Sequence, residues 1–189
     1  MSERETARGE LGLVQAFVNT VDLLPLKEEL KDPNTLKAWL VAKGLMDPSQ
    51  PVDEADLKHA FAVREAMRAV IGGNNGQRIY PVELATLNEA ATASRLRMRF
   101  APDGRARLEP EASGAVGALG RLVAALYSAM QDEGWERLKL CSSDACRWVF
   151  FDRSKNRSSR WCTMASCGNR EKARRFRKRE TAASSPTRD

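Results

Sequence analysis

The chain has 189 residues, 42% of them hydrophobic, enough for one medium helical body with a small appendage. Its start, MSERETARGELG, lacks the apolar core of a signal peptide and no apolar stretch nears the length of a membrane span, so a secreted or membrane protein is not expected and a reducing cytoplasm is. The net charge of +6 is uneven: residues 1–140 carry 18 Lys+Arg against 20 Asp+Glu, whereas residues 141–180 carry 12 against 4, the footprint of a polyanion partner such as nucleic acid. A solvated basic tail is the plainer alternative.

In chain order, residues 11–24 place Leu13, Phe17, Val21 and Leu24 at three- and four-residue steps, which predicts an amphipathic helix closed by Pro25. Asp32-Pro33-Asn34 predicts the start of a second helix that turns Leu36, Trp39, Leu40 and Leu45 inward and ends at Gly44. The clearest long helix spans Asp53 to Ile71 and is stopped by Gly72-Gly73-Asn74-Asn75-Gly76; a shorter one follows Pro81 to Ala93.

The period then changes. Leu96, Met98 and Phe100 alternate with Arg95, Arg97 and Arg99, and Ala101-Pro102-Asp103-Gly104 turns the chain into residues 105–109, a β-hairpin with one apolar face and a solvated arginine face. Residues 113–132 form the last helix of the body, with Leu119, Leu122, Val123, Leu126 and Met130 toward the core and small residues that permit close packing. The class expected is mostly α, in the α+β sense.

The chemistry-bearing residues come last. Cys141-x4-Cys146 and Cys162-x4-Cys167 use all four cysteines, with fifteen residues between the pairs. Two ligand pairs on tight turns can fill the four corners of a tetrahedral site, and four thiolates leave no open position for catalysis. A single structural zinc is the expected cofactor; an iron–sulfur cluster, disulfides or inert thiols are the rivals. Arg147 to Phe151 reads as a strand, Asp152 to Ser159 as a polar turn and Arg160-Trp161-Cys162 as the returning strand, with Trp148, Phe150, Phe151 and Trp161 as apolar cover or as stacking surfaces for bases. Gly168 supplies a backbone for the knuckle and Asn169 caps a helix from Glu171 to Glu180.

Around the Ala173 and Phe176 stripe that helix carries Arg170, Lys172, Arg174, Arg175, Arg177, Lys178 and Arg179, which repel one another without counter-charge. With Asn169 and the loop residues Arg153, Lys155, Arg157 and Arg160 they are the candidate nucleic-acid contacts. Enzyme chemistry is not expected: His59 is the only histidine and no nucleophile–base pair can be assigned. A small-molecule site formed by Asn19, Asp22 and Arg64 competes with a plain polar network between helices.

Residues 137–179, with both cysteine pairs, Arg147-Trp148, Phe151-Asp152, Asn156, Arg160-Trp161 and Cys167-Gly168-Asn169-Arg170, resemble the CGNR-type zinc finger. The body, through Phe17-x-Asn19-Thr20-x-Asp22 and Val63-Arg64-Glu65-x-x-Arg68, resembles the ABATE domain that accompanies this finger. The resemblance implies a bacterial, stress-linked transcription regulator.

On this reading, residues 1–10 are a flexible start, 11–136 the ABATE-like domain, 137–180 the finger with its basic helix and 181–189 a disordered tail. The protein is then a nucleoid-associated DNA-binding regulator that takes double-stranded DNA, with a body available for homodimerisation or effector sensing. An RNA-binding module is the alternative.

Overall fold

The computed structural model describes residues 6–183; residues 1–5 and 184–189 lie outside it, and with them most of the expected flexible start and tail. Helices α1 (Gly9–Val18), α3 (Glu54–Gly73) and α5 (Gly114–Met130) pack on one another, α2 (Pro33–Ala42) lies on α3 and α5, and α4 (Pro81–Ala93) covers α3 and α5 from another side. Three two-stranded antiparallel sheets are appended: β1 (Val21–Leu23) with β2 (Leu26–Glu28), β3 (Leu96–Phe100) with β4 (Ala106–Pro110), and β5 (Leu138–Leu140) with β6 (Val149–Phe151). The basic helix α6 (Asn169–Ala183) closes the described chain.

The middle helices start where local chemistry directs. The Asp32 carboxylate accepts from Thr35 N at 2.8 Å, Thr35 Oγ1 accepts from Asp32 N at 3.0 Å, and Pro33 occupies the first turn of α2. Asp53 caps α3 through Ala55 N and Asp56 N at 2.8 and 2.9 Å. These side chains satisfy amides that the first turn leaves without partners, each cap contributing about 1 kcal/mol.

The opening helix is shorter than its periodicity predicts. It ends at Val18, and residues 21–28 form the β1–β2 hairpin, with Val21 opposite Glu28 and Leu23 opposite Leu26. The carbonyls that would continue the helix are claimed from outside it. Thr20 Oγ1 donates to Phe17 O at 2.9 Å, and the buried Arg68 guanidinium donates to Val18 O.

The β3–β4 hairpin forms as expected, with Met98 opposite Leu108 and Arg97 opposite Glu109. Its arginines are exposed and pair with Glu109, Glu111 and Asp103, a solvated face. The apolar face is not a core face at its far end: Met98 is 60% and Phe100 76% exposed. On α5, Leu119, Leu122 and Leu126 are buried, whereas Met130 lies at the surface. Gly120 explains the closeness of that helix to the end of α4: a Cβ there would stand 2.4 Å from the Cβ of Ser94.

The largest departure concerns the last sheet. β6 pairs with β5, Leu138 opposite Phe151 and Leu140 opposite Val149, while residues 160–162 form no strand. Leu138, Leu140 and Val149 are fully buried in the same cluster as Val14, Phe17, Val63, Met67 and Leu122. Each such side chain contributes about 1.5–3 kcal/mol, so the sheet belongs to the body's core.

Candidate metal centre and basic helix

Cys141 follows β5 and Cys146 precedes the entry to β6, so the first pair sits on the connection between two paired strands. The ladder is extended by Cys141 N donating to Trp148 O at 2.9 Å. The turn closes through Cys146 N and Arg147 N, both donating to Ser143 O, with Arg147 in the left-handed region at φ 49°.

The second pair is placed by a different device. Asp152, fully buried at the end of β6, accepts from Ser154 N at 2.9 Å, Ser159 N at 3.0 Å and the Lys139 ammonium at 2.9 Å. Lys139 also donates to Arg157 O, and Arg137 donates to the carbonyls of Asp152 and Ser154. Burial works against the Asp152 charge, but the bonds from Ser154, Lys139 and Ser159 outweigh it and hold the carboxyl below the usual carboxylate range. The loop so folded presents Arg160 O to Ser142 N at 2.9 Å, which sets Cys162 beside the first pair. A π-helical turn, Met164–Gly168, then carries Cys167 into α6.

The four ligand sulfurs lie within 4.8 Å of one another, all buried, with Cys146 to Cys162 and Cys162 to Cys167 each at 3.7 Å. Four sulfurs tetrahedrally placed about 2.3 Å from a common centre are about 3.8 Å apart, so the donor set fits a zinc ion. A disulfide would need sulfurs about 2.05 Å apart, and the four cysteines are free. Charge points the same way. Hydrogen bonds from the Cys146 and Cys162 thiols pull the Cys141 thiol down, and giving those bonds pushes Cys146 and Cys162 up, so the thiols share charge within one cluster.

Phe150, Leu24, Trp148 and Trp161 pack on the sulfur cluster, and Phe151 on the main core. The aromatics therefore serve as cover. Gly168 is not in the left-handed region; it lets Met164 and Trp161 pack close, since a Cβ would lie 2.6 Å from Met164 Sδ and 3.2 Å from Trp161 Cδ1 and would oblige those side chains to shift. Asn169 is already helical, and the cap is Thr163, whose hydroxyl accepts from Ser166 N at 3.2 Å.

The candidate nucleic-acid residues separate into two groups. On α6, Asn169, Arg170, Lys172, Arg174, Arg175 and Arg177 are exposed, with Phe176 62% exposed beside them; Arg174 pairs with the buried Glu171 at 2.8 Å. Lys178 and Arg179 lie in the helix, but their side chains fall outside the described residues. In the loop, Arg157 pairs with Glu136 at 2.9 Å, Arg153 donates to Thr6 O at 3.2 Å, and Arg160 lies over the Trp161 ring at 5.6 Å, leaving Lys155 exposed.

The trio Asn19, Asp22 and Arg64 does not converge on one cavity. Arg64 makes a two-pronged pair with Glu28 at 2.8 Å and donates to Thr20 Oγ1 at 3.0 Å, while Asp22 accepts from Leu24 N at 2.9 Å. Asn19 faces the other way: its amide donates to Val149 O at 2.7 Å and accepts from Val149 N at 2.9 Å, and Gln15 adds a bond to Val149 O at 3.1 Å. On the other strand Asn75 treats Leu140 in the same manner at 2.9 and 3.1 Å, and Asn74 donates to Trp135 O and Leu138 O. Sequence reasoning took the Gly-Gly-Asn-Asn-Gly run only as a helix stop; a pair of amides at the end of a helix was the signal available.

Two family models match. Residues 137–180 match the CGNR zinc finger, and residues 11–132 match ABATE, described as "Putative stress-induced transcription regulator". No curated protein matches the chain. With the sulfur geometry, the finger match supports one structural zinc ion. Neither family is a family of enzymes, and among the described residues no helix is long and apolar enough to cross a membrane.

Proposed function

The chain belongs to the ABATE family and carries a CGNR zinc finger, and on that premise we propose that it is a transcription regulator which binds double-stranded DNA through α6. The observation that carries this reading is the join between metal centre and helix. Cys167 and Gly168 are buried in the zinc knuckle, and within the next nine residues five basic side chains, Arg170, Lys172, Arg174, Arg175 and Arg177, stand exposed. Zinc, when bound, offsets half the charge of the four thiolates and locks the knuckle. The remaining work is done by the chain. Glu171 and Thr163 hold the root of the helix, and the arginines are presented as a phosphate-binding face on a near-neutral body.

RNA reading by base stacking has less support, because Trp148 and Trp161 are packed against the sulfur cluster. The body remains the candidate element for dimerisation, and a nucleoid location follows from DNA binding. A gel-shift titration of zinc-loaded protein with duplex DNA checks the function. Five phosphate contacts give a slope of about −4.5 for log affinity against log salt, and the shift disappears on chelation. Binding that ignores salt or survives zinc removal overturns the assignment.

A further inference from the structure

The basic helix α6 presents more than charge. Every side chain from Lys172 to Arg177 is exposed, and two of them, Ala173 and Phe176, are apolar. The side of the helix turned to the protein is marked by Glu171, which is buried and pairs with Arg174 at 2.8 Å. At 3.6 residues per turn Phe176 stands about 140° around the axis from Glu171, with Ala173 three positions before it on the same face. That face therefore looks away from the body, and it leaves the Phe176 ring 62% exposed.

Charge decides what can cover it. The same spacing sets Lys172 and Arg175 to one side of Phe176 and Arg170 and Arg177 to the other. A second copy of α6 laid on this face would bring like charges together, whereas a duplex offers phosphates along both walls of its major groove. An α-helix is about 10–12 Å across with its side chains and the groove is about 12 Å wide, so α6 can enter it. Its basic flanks then meet the two walls and Phe176 meets the base edges. The apolar group displayed on the floor of that groove is the C5-methyl of thymine.

We infer that α6 lies in the major groove with Phe176, backed by Ala173, against a thymine methyl, which makes Phe176 a specificity-determining residue that favours an A·T pair at that position. The inference rests on the DNA-binding reading and adds a base contact to phosphate contacts that carry no sequence information themselves.

The test is an anisotropy titration of the zinc-loaded full chain with two pools of the same random duplexes, one made with thymidine and one with deoxyuridine. The second pool pairs alike and carries the same phosphate charge but lacks the methyl group. The thymidine pool is expected to bind about fourfold tighter, the worth of one buried methyl. Phe176→Gln should bind both pools alike and keep the salt slope of the native chain, because no charge is removed. The side chain is exposed, so the variant keeps the fold. Equal affinity of the native chain for the two pools overturns the inference and leaves DNA binding in place; binding of neither pool overturns both. A thymine preference that survives Phe176→Gln assigns the methyl to another residue and overturns it as well. So does a native dimer that sediments as a monomer in Phe176→Gln, which would put a second copy on this face.

Discussion

Asn19 and Asn75 grip opposite edges of the same small sheet, each closing two hydrogen bonds with the peptide groups of a single residue, Val149 on β6 and Leu140 on β5. Each carboxamide takes the place of a neighbouring strand, so a two-stranded sheet whose outer edges would be left without partners is closed on both sides by the helical body. Asn19→Ala removes both bonds and leaves the buried Val149 N–H without its acceptor. A loss of about 2–3 kcal/mol in denaturant unfolding is expected, together with faster release of zinc to a chelator. Asn19→Asp should cost at least as much, because a carboxylate cannot donate to Val149 O.

Removal of the metal should be felt locally. In Cys162→Ser, or after chelation, residues 141–148 and 152–168 lose the cation that balances their thiolates, whereas Leu138, Leu140 and Val149 remain buried in the main core. Hydrogen exchange should show residues 138–140 and 149–151 protected with α1, α3 and α5, and the cysteine loops open. Collapse of protection in β5 and β6 as well would show that the metal, not the core, holds the sheet.

At Gly120 the expectation is steric. An added methyl meets the Cβ of Ser94 at 2.4 Å and that of Pro110 at 3.1 Å, and neither is the end of a flexible chain. Gly120→Ala should therefore lower stability by about 1–3 kcal/mol in thermal unfolding. Ser94→Ala in the same background should give only partial relief, because it removes the Oγ, also 2.4 Å from the added methyl, but leaves the Cβ in place.

The pair formed by Lys139 and Asp152 supplies a pH-dependent contribution. The folded-state pKa of Asp152 lies below the ordinary carboxylate value, so its stabilisation is fully present above the unfolded value of about 3.9 and is lost as pH falls through the folded value. Asp152→Asn leaves a buried ammonium without its counter-charge and should cost about 3–5 kcal/mol near neutrality. The stability gap between the two proteins should hold steady above about pH 5 and shrink as pH drops below about 4. A gap independent of pH in that range would mean that Asp152 is not held charged.

What the residues determined unaided was local. Asp32 and Asp53 cap their helices through amides two or three positions away, the x4 spacings set each cysteine pair on one turn, and the run from Arg170 to Arg177 makes α6 basic whatever surrounds it. Periods of 3.6 and 2 likewise carried α2 to α5 and the β3–β4 hairpin. Tertiary structure decided where partners are distant. The end of α1 depends on Arg68, fifty residues away, and the register of β6 on Asn19, 130 residues away. Residues 160–162 lost their expected strand because β5, three residues long and buried throughout, offers β6 a partner inside the core, while Asp152 spends the intervening loop on hydrogen bonds to Ser154, Ser159 and Lys139. Periodicity cannot encode such choices. They are settled by which buried backbone groups still lack a partner once the helices have packed.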